Sequence, residues 1–140
     1  MLRTLQDFLP IINSLGDREA LLFSDGYRTR RLSYQELYSR IAAAASLFEE
    51  RGIKSGDRLL LWGENRPEWL IAFWAAIAKG IQVVPIDLRS SEAFARRVRE
   101  DAETALTVAG EDVPAGALRG EKLTYRELRK LEEEYDRFNV

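Results

Sequence analysis

The stretch from Arg58 to Asp87 limits this chain to few folds, because it reads as a strand, a turn, a buried helix and a second strand. The apolar run Leu59–Trp62 is typical of a strand that is covered on both faces. The segment Trp69–Ala78 is apolar almost all round, which predicts a helix buried on more than one side. It is much shorter than the roughly 20 apolar residues that cross a bilayer. Two strands joined by such a helix are expected to be parallel, with a right-handed crossover.

The rest of the chain repeats this alternation of strands and helices. A Gly after Asp25, between two strand-forming runs, predicts a β-hairpin over residues 20–32. A core follows over residues 33–109, and its sheet is predicted to contain Arg58–Trp62, Ile81–Val84 and Ala105–Val108. An amphipathic pattern predicts a C-terminal helix from about residue 124 to 138. We therefore predict one α/β unit over residues 1–140, with three layers, a mainly parallel sheet, flanking helices and an N-terminal hairpin.

The composition removes several classes of function. The chain has no Cys and no His, which excludes disulfides, thiolate chemistry, His-based proton transfer and the usual zinc sites. A net charge of −2 gives no bulk attraction to nucleic acid or to an anionic membrane. The N-terminus lacks the apolar core of a signal peptide, and a chain without Cys suits a reducing compartment, so we expect a cytoplasmic location.

Several residues could be considered for a catalytic or binding role, but a structural role is favoured for each of them. Ser33 has no base placed to activate it and is read as the cap of a helix. The turn Gly63–Arg66 lies where α/β folds often bind anions, but it has one glycine and no Lys followed by Ser or Thr. On the hairpin, a basic exposed face of Arg28, Arg30 and Arg31 is read as a solvated edge rather than an anion site. We therefore predict no catalytic, cofactor-binding or metal-binding residue.

The first twelve residues carry a helical apolar pattern that allows two interpretations. Docking against the core of the domain is favoured over a helix on a membrane surface, because Asp7 and the lack of a basic face argue against lipid binding. Pro10 is expected to break or kink this helix. The pattern consists of Leu2, Leu5, Phe8, Leu9 and Ile12.

Four short motifs occur in a fixed order between Ala20 and Val108. Leu32–Leu37 contains Ser-Tyr-x-Glu-Leu, and Gly52–Leu61 contains Gly-Ile-x-x-Gly-Asp. Asn65–Trp69 reads Asn-x-x-Glu-Trp, and Ala78–Asp87 contains a Gly and ends in Val-Pro-Ile-Asp. Together they resemble the early core motifs of the adenylate-forming enzymes, which include acyl- and aryl-CoA ligases, peptide-synthetase adenylation domains and luciferases.

This resemblance implies an enzyme that activates a carboxylate with ATP and Mg²⁺ and then passes the acyl group to a thiol such as CoA. It also implies a Gly/Ser/Thr-rich phosphate loop, acids for the ribose and Mg²⁺, and a late catalytic Lys, all downstream of the matched region. The sequence contains no such loop. No catalytic residue of the family is therefore carried onto this chain, and we expect these 140 residues to bind no cofactor by themselves.

Two functional hypotheses follow. In the first, the chain is the N-terminal framework of an ATP-dependent acyl-CoA synthetase, an incomplete part of its N-terminal domain that is inactive alone and whose partner is the rest of the ligase. In the second, it is a stand-alone α/β interaction module or a subunit that complements a partner supplying the ATP site. A chain of this size is expected to leave apolar surface exposed, so we also predict a homodimer formed through an apolar face or a free sheet edge.

Overall fold

A four-stranded parallel sheet forms the centre of the fold in the computed structural model, which describes residues 1–138. Its strands are β3 (Arg58–Trp62), β4 (Gln82–Ile86), β5 (Leu106–Ala109) and β6 (Lys122–Thr124). They lie in the order β4-β3-β5-β6, and every neighbouring pair is parallel. The predicted α/β class with a parallel sheet is confirmed. Strand β6 was not predicted, because one apolar residue, Leu123, is too short a signal for strand periodicity.

The predicted hairpin forms a second, separate sheet of two strands. β1 (Glu19–Ser24) pairs antiparallel with β2 (Thr29–Ser33). The turn is closed by Asp25, whose side-chain oxygen accepts hydrogen bonds from the amides of Tyr27 at 2.9 Å and Arg28 at 2.8 Å. The Asp-Gly signal in the sequence therefore marks the turn correctly.

Helices cover both faces of the parallel sheet and make it the middle of three layers. The helices are α1 (Phe8–Ser14), α2 (Tyr34–Glu50), α3 (Pro67–Lys79), α4 (Glu92–Ala102) and α5 (Tyr125–Phe138). On one face, α2, α3 and α5 pack their apolar side chains against Leu59 and Leu61 of β3. On the other face, Ala95 of α4 packs with Trp62 and Ala109. Among residues 1–138, no helix is both long and apolar enough to cross a membrane.

The helix boundaries follow from local chemistry. Ser33 caps α2, since its hydroxyl oxygen accepts a hydrogen bond from the Glu36 amide at 3.1 Å, as predicted. Pro67 occupies the first position of α3, and Gly80 ends the helix with a left-handed backbone. The amphipathic pattern of the sequence also predicts that Tyr135 and Phe138 point inward from α5, and these side chains lie outside the described part of the structure.

One prediction about the apolar helices needs correction, and one is confirmed with a qualification, since α3 has no exposed residue but is not equally buried all round. Pro10 does not break α1, because it lies in the first turn of that helix, where an amide has no partner within the helix. In α3, Ile71 and Ala75 are buried, but Trp69 and Trp74 are only half-buried. One side of α3 is therefore an aromatic ridge that the described residues cover only in part.

The outer edge of the sheet at β4 is modified by a proline. The Gln82 amide donates to the Asp57 carbonyl at 2.8 Å, toward β3. Alternate residues of a parallel strand direct their backbone amides to opposite sides, so the backbone nitrogen atoms of Val83 and Pro85 face away from β3. Pro85 has no N–H, so this edge lacks a donor at that point without loss of a bond to β3.

Candidate functional site

The carboxyl edge of the parallel sheet is the place where open α/β sheets bind ligands, at the point where the strand order reverses. In this chain the point lies between β3 and β5, whose connections run to opposite sides. Gly63 follows β3 and Gly110 follows β5, and the two backbones meet there. A Cβ placed on Gly63 would lie 2.8 Å from the Cα atom of Gly110. The base of the crevice is therefore closed by backbone contact.

The crevice is also filled by the side chain of Glu64, which is buried. One carboxylate oxygen accepts a hydrogen bond from the Glu111 amide at 2.9 Å, and the other accepts one from the Asp112 amide at 3.2 Å. Arg66 lies beside it, with Nε 3.2 Å from Oε1 of Glu64. Successive backbone amides of this kind form an anion-binding concavity in many proteins. Here the carboxylate of the chain itself occupies that position.

Tyr125, the first residue of α5, closes the crevice from a third side. Its hydroxyl donates a hydrogen bond to the Glu64 carbonyl oxygen at 3.0 Å, and the residue is fully buried. Burial, and then the negative charges of Glu64 and Glu68, raise the pKa of Tyr125 far above its usual value. The phenol is therefore neutral at physiological pH and acts as a hydrogen-bond donor rather than a base.

Glu68 forms the second buried carboxylate of this region and is fully buried. Its Oε1 atom lies 2.7 Å from Nη1 of Arg30 on the hairpin and 3.3 Å from Nε of Arg129 on α5. Arg129 also places Nη2 2.8 Å from a carboxylate oxygen of Glu111. Burial lowers the pKa of Arg129, but the charges of Glu68 and Glu111 outweigh this effect and raise it, so the guanidinium stays charged.

The position of Arg30 corrects the prediction of a purely solvated basic face on the hairpin. Arg30 turns toward α3 and is half-buried against Glu68, because the antiparallel strand alternates its side chains between two faces. Its neighbour Arg31 points the other way and pairs with Glu19 at 2.7 Å on the surface. Arg28 is exposed, as predicted.

These side chains form one polar network, which we call the edge cluster: Arg30, Glu64, Glu68, Tyr125 and Arg129. It joins the hairpin, the start of α3 and the start of α5 at the carboxyl edge of the sheet. Glu68 is paired with both arginines through Oε1, whereas its buried Oε2 has no hydrogen-bond partner among the described residues. The cluster links the hairpin, α3 and α5 by ion pairs and hydrogen bonds, and it contains no nucleophile with an adjacent base.

The residues of this edge do not fit ATP or Mg²⁺. The amides of Glu111 and Asp112, which would be donors to a phosphate, already bind the Glu64 carboxylate. Within residues 1–138, no group of three His, Cys, Asp or Glu side chains is placed to hold a metal ion. A neighbouring cavity of about 320 Å³ between the β3–α3 turn and the loop after β4 is lined in part by Arg89, which is held by Asp87 at 3.2 Å. No step of a nucleotide reaction is therefore assigned to these residues.

Sequence reasoning missed the edge cluster because its members are far apart in the chain. Arg30 and Arg129 lie 38 and 61 residues from Glu68, and neither distance leaves a pattern in the sequence. In the sequence, Glu68 is an acid near the start of a predicted helix, where the helix dipole gives it a purely local explanation. The available signal was a carboxylate beside Trp69 in a nearly continuous apolar helix, since a buried charge needs a partner.

Comparison with known proteins agrees with the α/β fold described above. The family model described as AMP-binding enzyme matches residues 12–136. The chain is 40% identical over 77 residues to a crotonobetaine/carnitine–CoA ligase of Salmonella paratyphi A, a match that covers 53% of this chain and 14% of that protein. It is 38% identical over 72 residues to the mitochondrial medium-chain acyl-CoA ligase ACSF2 of Danio rerio, covering 51% of this chain and 11% of the relative. The chain thus matches a small part of the length of each ligase.

A solved structure extends the likeness to nearly the whole chain. The N-terminal subdomain of Klebsiella oxytoca NpsA, in complex with 3-hydroxyanthranilyl-AMSN, superposes with a TM-score of 0.77 at 26% sequence identity. The match covers 93% of this chain and 33% of that one. The parallel sheet, the hairpin and the motifs first seen in the sequence thus lead to one conclusion: this chain belongs to the AMP-binding enzyme family.

Proposed function

We propose that this chain is the amino-terminal framework of an ATP-dependent acyl-CoA ligase. In such an enzyme a carboxylate is adenylated and its acyl group is then transferred to the thiol of CoA. The observation that carries the proposal is the match of 93% of the chain to the N-terminal subdomain of an adenylation protein, together with about 40% identity to a CoA ligase. The framework role is supported by the edge cluster, which links the hairpin, α3 and α5 by ion pairs and hydrogen bonds.

ATP, Mg²⁺ and CoA are, in this proposal, held by residues of the ligase other than these 140. The support is physical: the crevice at the carboxyl edge is filled by Glu64, and its amide donors are already used. The partner of the chain is then the remainder of the ligase. We also propose a cytoplasmic location, which suits a chain without cysteine.

Binding and exchange measurements on the isolated chain test the first half of this proposal. We expect no heat of binding with ATP and Mg²⁺ or with CoA, and no exchange of pyrophosphate into ATP with a panel of aliphatic and aromatic carboxylates. Exchange at ordinary ligase rates that survives the mutation of every Lys in turn would contradict the proposal, because it would show catalysis by residues assigned here to a framework.

A chimera tests the second half. The segment of the Salmonella crotonobetaine/carnitine–CoA ligase that aligns with this chain is replaced by the chain, and pyrophosphate exchange is measured on the purified protein. We expect exchange to be restored, to be lost with Glu68→Ala, and to be kept with the surface substitution Glu49→Ala. A chimera that is folded by circular dichroism and monomeric, yet inactive in every version, would argue against a ligase framework.

A stand-alone subunit is the second candidate. It is favoured by the observation that helices already cover both faces of the sheet, so the unit has cores of its own. Addition of the separate chain to a ligase lacking the aligned segment distinguishes the two cases. Activity restored in trans supports a complementing subunit, whereas activity restored only by fusion supports the framework of a single polypeptide.

A further inference from the structure

The loop that follows β5 binds a carboxylate of its own chain. Two successive backbone amides in this loop, those of Glu111 and Asp112, donate hydrogen bonds to different oxygens of Glu64, at 2.9 and 3.2 Å. The guanidinium of Arg66 contacts the same carboxylate, with Nε 3.2 Å from Oε1. Hydrogen bonds to an ionised acceptor are stronger than those between neutral groups. The amides and the guanidinium therefore form an anion site, and its occupant is tethered to the end of β3.

The walls of this site lie close to the bound carboxylate. Glu64 is only 7% exposed, and a Cβ added to Gly110 would lie 2.1 Å from Oε2. On a third side, the Tyr125 hydroxyl donates to the Glu64 carbonyl oxygen at 3.0 Å. A tetrahedral phosphate is wider than a planar carboxylate, so it does not fit between these walls. The class of ligand that suits the site is therefore a small monocarboxylate.

The donors of the site need an anion when Glu64 is absent. Glu64 is the ion-pair partner of Arg66, and it is the acceptor for both loop amides. Donors that stay buried without an acceptor are costly, and an anion supplied by the solvent removes that cost. The substitution Glu64→Ala removes Cγ, Cδ and both carboxylate oxygens. These atoms correspond to the heavy atoms of acetate, so acetate matches the space that the substitution opens.

We propose that the loop after β5 is a carboxylate-binding site with Glu64 as its built-in ligand, and that this bound carboxylate fixes the loop. The same loop reaches α5 through the side chain of Glu111, which lies 2.8 Å from Nη2 of Arg129. Glu64 thereby connects the end of β3 to α5. In the wild-type chain the tether keeps Glu64 at a high effective concentration, so free carboxylates do not displace it. Once Glu64 has been shortened, the site accepts acetate.

Rescue of Glu64→Ala by acetate tests the proposal. Urea unfolding is followed at constant ionic strength while sodium acetate replaces sodium chloride. We expect the midpoint of Glu64→Ala to lie below that of the wild type in chloride and to rise with acetate. At an acetate concentration of about ten times its Kd, the folding constant should increase about tenfold. The wild type and the surface variant Glu49→Ala measure the general effect of acetate and should show no such increase.

Further comparisons make the rescue specific to a carboxylate in this site. Glu64→Gln keeps the site filled, so it should lose stability and should not recover it in acetate. Acetamide has the shape of acetate without its charge, and phosphate is too wide, so neither should raise the midpoint of Glu64→Ala. Equal rises in acetate for Glu64→Ala and Glu49→Ala overturn the proposal, and so does a rise in phosphate as large as that in acetate.

Amide resonances give a readout that does not depend on stability. In isotopically labelled Glu64→Ala, acetate should shift the amide resonances of Glu111 and Asp112, whereas the same resonances should not move in the wild type. If Glu64→Ala is unfolded in chloride, the expected rescue is the appearance of folded protein in acetate, measured by circular dichroism. Acetate shifts that miss both amides, or a variant that stays unfolded in acetate, overturn the site.

Discussion

Glu68 shows how strongly one residue can depend on distant partners. Its carboxylate has no exposure to solvent, and it lies between the guanidinium groups of Arg30 and Arg129. Removing one partner from a buried ion pair leaves an uncompensated charge, which costs more than the pair contributes. The edge cluster is therefore sensitive to single substitutions in a way that the ion pairs of the surface are not.

Glu68→Ala is expected to lower the free energy of unfolding by about 1–3 kcal/mol, because two half-buried arginines lose their buried acceptor. The measurement is the midpoint of urea unfolding at constant slope. Glu49→Ala, which removes the surface partner of Lys79, is the matched control and should leave the midpoint unchanged. Equal shifts for the two variants would show that Glu68 behaves as an ordinary surface acid.

Gly110→Ala is expected to destabilise the chain by about 1–3 kcal/mol, the usual cost of overpacking. A Cβ at this position would lie 2.1 Å from Oε2 of Glu64 and 2.8 Å from Cα of Gly63, so the crevice has to open. Gly116→Ala is the control, since nothing lies within 4 Å of its added Cβ, and it should change stability by less than about 0.5 kcal/mol. Thermal or urea unfolding of both variants decides the comparison, and a neutral Gly110→Ala would contradict the tight junction.

Tyr125 is expected to make the folded chain less stable at alkaline pH. Its pKa is raised in the folded state by burial and by the carboxylates of Glu64 and Glu68, whereas in the unfolded chain it is about 10. Above that pH the unfolded state has released a proton that the folded state keeps, so the free energy of unfolding falls by at most about 1.4 kcal/mol per pH unit. Below about pH 10 this contribution is fully present.

Urea unfolding between pH 9 and 12 checks this dependence, a range that brackets the ordinary tyrosine pKa of about 10. Tyr125→Phe should be less stable at neutral pH, because the bond to the Glu64 carbonyl is lost, and should show a shallower fall in alkali. Tyr27→Phe, at a fully exposed position, should keep the wild-type slope. If the free energy of unfolding falls with pH at the same rate in all three proteins, Tyr125 is not the group that causes the fall.

At the scale of elements, the two edges of the parallel sheet differ in chemistry. Strand β6 is only three residues long, and it leads directly into α5. Strand β4 is five residues long, but Pro85 removes an outward donor from it. Short edge strands and edge prolines are both devices that limit pairing with other chains. The sheet is thus protected at each end by a different means.

Pro85→Val is expected to keep the fold, because the amide it restores points away from β3, and to promote association through the β4 edge. Size-exclusion chromatography at several concentrations should show larger species than the wild type. The control is Pro114→Val, which restores an amide in the loop after β5, away from the sheet edge. If the two proline variants elute alike, the edge proline has no protective role.

At the scale of the whole molecule, the central strands β3 and β5 are covered on both faces, whereas β4 is only half-buried. Local opening is easiest where few buried contacts have to be broken. Hydrogen exchange followed by mass spectrometry should therefore find the slowest amides in Leu59–Trp62 and Leu106–Ala109 and faster ones in β4. Exchange in β4 as slow as in β3 would contradict this order.

The sequence was sufficient for the parts of the fold that depend on neighbouring residues. The apolar run Leu59–Trp62, the Asp-Gly turn at Asp25 and the cap at Ser33 each predicted the element that the structure contains. These signals are local, since they depend on periodicity and on side chains within a few residues. The family motifs, which occur in a fixed order, also indicated how these elements are combined in the fold.

The edge cluster could not be predicted in the same way. The bond from Tyr125 to Glu64 spans 61 residues, and the contact between Gly63 and Gly110 depends on which strands become neighbours. The burial of Arg30 depends on how the hairpin is seated on α3. Such contacts are decided by tertiary packing, which single-residue propensities do not record.

The hydrogen bond from the hydroxyl of Tyr125 also has a consequence for folding during synthesis on the ribosome. Synthesis proceeds from the amino terminus at about 5–20 residues per second, so several seconds pass between the synthesis of Glu64 and that of its hydrogen-bond donor, Tyr125. After residue 109 has been added, β3 and β5 are both complete, but Tyr125 does not yet close the crevice between them and α5 is missing from its layer. Nascent chains at this stage expose apolar surface of the sheet, and they are therefore the species that a chaperone would meet. The crevice is closed only once α5 has left the ribosome and Tyr125 has reached the carbonyl oxygen of Glu64.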